Sequence, residues 1–163
     1  MKNSKINYSI IDIISALLIL LFVYAAVSKL LDYQKFRVQL GQSPLLTSFA
    51  SWMAWLVPAI EIIVSLLLVF SNTRLFALYA SFTLMVMFSG YIIAITRFSD
   101  YIPCSCGGVL QKMSWNQHLV FNIIFVLIAL TGILIHNKTK NETPSFRTKL
   151  NGWVDMIINF LLQ

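Results

Sequence analysis

The chain has 163 residues, of which 58% are hydrophobic and only 11% charged. A soluble domain carries about a quarter charged residues, so this composition excludes a surface that faces water all round and implies lipid around much of the molecule. The net charge of +6 would point to nucleic acid in a soluble protein, but the basic residues gather at the ends of apolar runs and in the tail, where they suit anionic headgroups; nucleic acid is not an expected partner.

Four apolar runs follow one another, at about residues 10–28, 52–70, 75–96 and 118–135. Each approaches the ~20 residues that span ~30 Å of hydrocarbon as a helix. Helix is the expected form, because every backbone polar group inside a bilayer must be satisfied within the segment. The first run, preceded by Lys2 and Lys5, has signal-peptide features, with Val23-Tyr24-Ala25 as a passable cleavage site. It exceeds the ~7–15 residues of a signal core, which favours a retained span.

The fold expected is an all-α integral membrane protein, a four-transmembrane-helix bundle with an amphipathic C-terminal helix. Residues 1–136 form the membrane domain and 137–163 a cytoplasmic tail. With the N-terminus inside, the inner side holds seven Lys and Arg and the outer side five, which favours both termini in the cytoplasm. Residues 29–51 and 97–116 then face outward, and 71–74 make a tight inner turn.

Two segments read as interfacial. Residues 30–40 mix Leu31, Phe36 and Leu40 with Asp32, Lys35 and Arg37 before Gly41 and Pro44, and are expected to lie flat on the outer face. In the tail, Phe146, Leu150, Trp153, Ile157 and Phe160 fall at helical spacing with polar residues between them, the pattern of a helix lying along the inner surface as an anchor or a docking site.

The most informative stretch is Pro103-Cys104-Ser105-Cys106-Gly107-Gly108, followed by Ser114-Trp115-Asn116-Gln117-His118 and Asn122. On the outer side it meets oxidising conditions. Two cysteines one residue apart close only a small, strained ring, which marks a labile bond rather than a structural one. Arg97, Lys112 and the start of the fourth helix favour a thiolate there. Two alternatives stand beside redox chemistry. One is a pair of unpaired thiols; the other is a copper(I) or zinc site completed by His118.

Beneath this loop the spans supply polar groups to one layer. His118 and Asn122 share a face of the fourth helix. Glu61 lies at roughly the same depth in the second, counting ~1.5 Å per residue. Tyr91 comes from the third and Lys29 from the end of the first. A buried ionisable residue such as Glu61 is a functional candidate by default; the bland reading is a protonated carboxyl acting as interhelical glue. Proton handling near a redox pair suits histidine. Asp12, at the inner end of the first span, is expected to snorkel or pair with Lys5. Pro58 removes a backbone donor near Glu61 and would shape a cavity for a flat apolar cofactor; a quinone fits, although nothing in the sequence demands one.

These residues resemble the MauE branch of the DoxX-like membrane proteins, over about residues 10–136. The marks are Ser28-Lys29-Leu30 with Asp32 and Phe36, then Pro58-Ala59-Ile60-Glu61, the Cys104-to-Gly108 stretch, and Ser114-Trp115 with His118 and Asn122. The resemblance implies a four-helix bundle similar in outline to vitamin K epoxide reductase and DsbB-type enzymes, and a role in thiol–disulfide traffic for exported proteins. It implies Cys104 and Cys106 as the redox pair, with Glu61, His118 and Asn122 as polar positions; Lys29, Tyr91 and Trp115 are expected, from the polar layer itself, to support them. The disulfide-generating bundles use two cysteine pairs, and this chain has one.

The leading function is therefore a membrane thiol–disulfide oxidoreductase or electron relay, with Cys104, Cys106, His118 and Glu61 catalytic and no metal. Expected partners are the bilayer, a periplasmic thioredoxin-like protein or a cysteine-containing exported client, and a larger membrane complex. The expected location is the bacterial inner membrane, crossed several times. The alternative is a non-enzymatic membrane subunit of a complex that exports, assembles or matures a secreted protein.

Overall fold

The computed structural model describes residues 2–42, 47–98 and 114–142. Its helices are α1 (Lys2–Leu31), α2 (Tyr33–Gln42), α3 (Ala50–Val69), α4 (Arg74–Phe98) and α5 (Trp115–Glu142), with a 3-10 turn at Thr47–Phe49 before α3. Four of them contain segments long and apolar enough to cross a membrane: Ile6–Leu31, Thr47–Val69, Arg74–Arg97 and Trp115–Thr139. The molecule is thus an all-α bundle of the multi-pass membrane type. The cysteine segment and the amphipathic tail lie outside the described residues.

Each long helix buries a narrow stripe and leaves the rest bare. In α1 the stripe is Ile11, Ile14, Leu18, Phe22 and Ala26, while Ile13, Leu17, Leu20 and Val27 are exposed. In α3 it is Ala54, Pro58, Glu61, Ser65 and Leu68, a three-and-four spacing that keeps one seam facing its neighbours. In water the exposed leucines and isoleucines would be a large unfavourable surface. Against acyl chains they carry no such penalty, so the pattern is the one lipid selects.

The helices form a ring. α1 packs beside α3 and α5, and α4 packs beside the same two, so α1 and α4 face each other across the bundle with little direct contact. The central core joins Leu18 and Phe22 of α1 to Leu68 of α3, Leu78 and Met85 of α4, and Ala129 and Ile133 of α5. Gly132 lets α5 come close to both neighbours. A Cβ there would meet Ile14 Cγ2 at 3.0 Å and Leu78 Cδ2 at 3.3 Å, the small-residue approach that lipid-embedded helices use.

Successive long helices run in opposite directions, so the bundle has two distinct ends. At one end the chain turns from α3 to α4 within four residues. Thr73 N–H donates to Phe70 O at 3.2 Å, and Thr73 Oγ1 donates to Leu67 O at 2.8 Å, serving carbonyls that a helix end leaves unpaired. At this turn end Asp12 pairs with Arg74, Nη1 to Oδ1 2.6 Å; the side chain of Lys5, the partner expected from sequence, lies outside the described residues. Asp12 and Arg74 lie far apart in sequence, but ring order brings the start of α4 within reach of the first turns of α1.

At the opposite end sits α2. Its apolar face meets protein: Phe36 and Leu40 are buried against Ala50 and Ala54 of α3. The two alanines leave a shallow face that a large ring fills. α2 nearly continues α1, since Asp32 N–H donates to Ser28 O and Phe36 N–H to Asp32 O, at 3.3 and 2.9 Å. α3 continues through Pro58, which lies inside it.

Candidate functional site

The α2 end holds the polar layer. Lys29 is two residues from the end of α1, and its flexible stem carries the ammonium inward to α3. There Nζ meets Glu61 Oε1 at 2.7 Å, a short charge-assisted hydrogen bond. Glu61 is eleven residues into α3, roughly 16 Å along the axis at the helical rise. Its side chain is 1% exposed and that of Lys29 15%. Glu61 is thus joined across the helices to Lys29 of α1.

The ammonium spends a second donor weakly, on Ala25 O at 3.4 Å. Two rings flank it: Phe36 of α2 with its centroid 6.0 Å away, and Phe88 of α4 at 5.7 Å. At such distances the ring quadrupole attracts a cation. The second carboxylate oxygen, Glu61 Oε2, is buried without a hydrogen-bond partner among the described residues.

α5 brings His118 into the same region. Its start is fixed by a reciprocal cap. Ser114 N–H donates to Gln117 Oε1 at 2.9 Å and Gln117 N–H to Ser114 Oγ at 3.4 Å, a capping box that defines the first turn. Trp115 stacks on His118 with centroids 6.4 Å apart. His118 Nδ1 is buried and unpartnered among the described residues. Asn122, one turn deeper, is buried. Tyr91 is half-buried on α4, three residues from Phe88, and makes an interaction of its own.

Lys29 and Glu61 are thus in direct contact, and His118 enters at the start of α5, at the same end of the bundle. Trp115 lies beside the His118 ring on the same helix. Cys104 and Cys106 fall outside the described residues, and so does the proposed metal set that includes them. Sequence reasoning missed Phe36 and Phe88 as flanks of the ammonium. It also missed the Ser114-x-x-Gln117 signal, which was available in the spacing. Other buried hydroxyls do not belong to the site: Ser65, Ser81 and Ser89 donate to carbonyls four residues earlier, at 2.7–2.8 Å.

One family model matches, described as methylamine utilisation protein MauE, and its match runs over residues 7–135. That stretch covers the second and third membrane-crossing segments and nearly all of the first and fourth. The chain belongs to the MauE family. A search of curated proteins and one of solved structures each return no match, so the wider likeness to DoxX-like proteins, vitamin K epoxide reductase and DsbB-type bundles rests on the sequence resemblance alone. Family membership makes this a multi-pass membrane protein related to methylamine utilisation. The polar residues set out above all lie inside the matched region.

Proposed function

We propose that this MauE-family chain is a membrane thiol–disulfide oxidoreductase or electron relay for exported cysteine-containing proteins, working through Cys104 and Cys106. The observation that carries the reading is topological. The segment bearing both cysteines joins the end of α4 to the start of α5. It thus connects to the bundle at the end where Lys29, Glu61 and His118 gather.

In this reading a client thiolate attacks the Cys104–Cys106 disulfide. A mixed disulfide forms, and one chain cysteine leaves as thiolate. The second client thiolate then attacks the mixed disulfide. The client departs oxidised, and the chain holds two electrons as a pair of thiols. Two protons pass from client to chain, with His118 serving as the donor and acceptor nearest the loop. Glu61, through its unspent oxygen, is a second proton acceptor deeper in the bundle. With a single cysteine pair, reoxidation requires a separate two-electron acceptor, a periplasmic thioredoxin-like disulfide or a quinone. This reading puts the cysteines on the non-cytoplasmic side of the inner membrane, with both termini inside.

The test is alkylation by a membrane-impermeant maleimide, with and without reductant, in intact cells. The expected result is labelling of Cys104 and Cys106 from outside that rises on reduction, together with loss of client oxidation in the double serine variant. Labelling that ignores reductant, with full function in the double variant, would leave the non-enzymatic assembly subunit as the better account.

A further inference from the structure

The surroundings of the Lys29 ammonium have a ligand chemistry of their own. A buried carboxylate and two aromatic ring faces meet at one point: Glu61 Oε1 at 2.7 Å, Phe88 at 5.7 Å and Phe36 at 6.0 Å. This is the set of groups that recognises an organic ammonium ion. The occupant is a side chain attached only two residues from the end of α1 and still 15% exposed, so it is not sealed in.

Tethering also leaves the site incompletely used. An ammonium carries three N–H donors. Lys29 gives one to Glu61 Oε1 and a long one to Ala25 O, while Glu61 Oε2 stays buried and unpartnered among the described residues. A buried carboxylate oxygen without a donor is costly. A free primary ammonium, not held by the lysine stem, can turn to serve both oxygens.

We propose that Glu61, Phe36 and Phe88 form a binding site for a small primary alkylammonium ion, which Lys29 occupies as a built-in ligand in this structure. The incoming cation replaces one ammonium by another, so the buried charge is kept and no bond is made or broken. Lys29, once displaced, reaches back toward the α2 end, where its stem lies along the helix and its charge meets water or headgroups. Binding to the intact protein is weak, because a tethered competitor acts at an effective concentration of about millimolar or above. The site does not depend on the cysteine chemistry, and substitution of Cys104 and Cys106 leaves it unchanged.

Lys29→Met empties the site while keeping the length of the stem. Purified in lipid nanodiscs, this variant is heated with n-propylammonium chloride, and sodium chloride and 1-propanol are the controls. The expected result is a saturable rise in unfolding temperature with propylammonium alone, and affinity at least about tenfold tighter than for the intact chain, from which the tethered competitor has been removed. Lys29→Met with Glu61→Gln loses the effect, and Phe88→Leu in the Lys29→Met background weakens it. A rise of equal size with propanol, or in the Glu61→Gln double variant, overturns the proposal, and so does the absence of any rise. If Lys29→Met does not fold, the intact protein decides. Saturation-transfer NMR with propylammonium should then show contact that Glu61→Gln abolishes; no contact, or contact that survives Glu61→Gln, refutes the site.

Discussion

The two ends of the bundle each hold an ion pair of nearly the same length, and the two pairs do different work. Lys29–Glu61 closes at 2.7 Å with side chains 15% and 1% exposed, and Asp12–Arg74 closes at 2.6 Å with Asp12 61% exposed. Length alone would rank them equal. Burial separates them. An exposed pair gains little over the water and counterions its members would otherwise have. In a buried pair each member is the reason the other is tolerated, and removing one leaves a charge with no solvent. The turn end can spare its pair, because close packing at Gly132 and the Thr73 cap already hold it. Among the described residues the α2 end adds a small satellite core of Phe36, Leu40, Ala50 and Ala54, so its pair matters more.

The sharpest way to break this comparison is to remove one buried charge. Lys29→Met should destabilise the protein by about 3–5 kcal/mol, while Lys29→Met combined with Glu61→Leu should recover most of the loss. Chemical unfolding in mixed micelles measures both. Equal costs for the single and double variants would show that the charges are not coupled. At the turn half, Gly132→Leu should cost about 1–3 kcal/mol by driving α5 away from Ile14 and Leu78, read in the same assay. A neutral result would mean the packing there is looser than the distances show.

Ser114→Ala removes the cap of α5 beside the site and should cost about 1 kcal/mol. Hydrogen exchange should then quicken in the first turn, at Asn116, Gln117 and His118, and nowhere in the turn end. The smallest effect belongs to the exposed pair: Asp12→Asn should change stability by less than about 1 kcal/mol. A large loss there would erase the distinction between the ends.

Much of this was legible in the sequence, and the reasons differ by feature. The four spans were visible because lipid leaves a gross compositional mark that needs no knowledge of neighbours. Glu61 stood out because a carboxylate inside an apolar run has few bland explanations. Its pairing with Lys29 was not legible. Counting residues put both in the outer half, but which helices are adjacent depends on the ring order, and only packing sets that. The same holds for Asp12, whose Arg74 partner comes from a helix across the bundle. Phe88 carries no distinctive signal, since most phenylalanines in such a chain only fill space, and Phe36, although one of the marks of the resemblance, gave no sign that it would flank Lys29. By contrast, Ser114 and Gln117 lie at the spacing of a reciprocal cap and were readable from local sequence. The burial of α2 against Ala50 and Ala54 was hidden for another reason: an amphipathic segment looks the same whether its apolar face meets lipid or protein.

The most direct test of the account is covalent. With Cys104→Ser and Cys106→Ser made separately, each variant is expressed in cells, the thiols are quenched with acid, and adducts are sought by non-reducing gel and mass spectrometry. One of the two should accumulate a mixed disulfide with an exported cysteine-containing protein or a thioredoxin-like partner, and reductant should release it. If neither variant traps a partner while its remaining cysteine is still open to alkylation, these cysteines do not exchange disulfides and the proposed function is wrong.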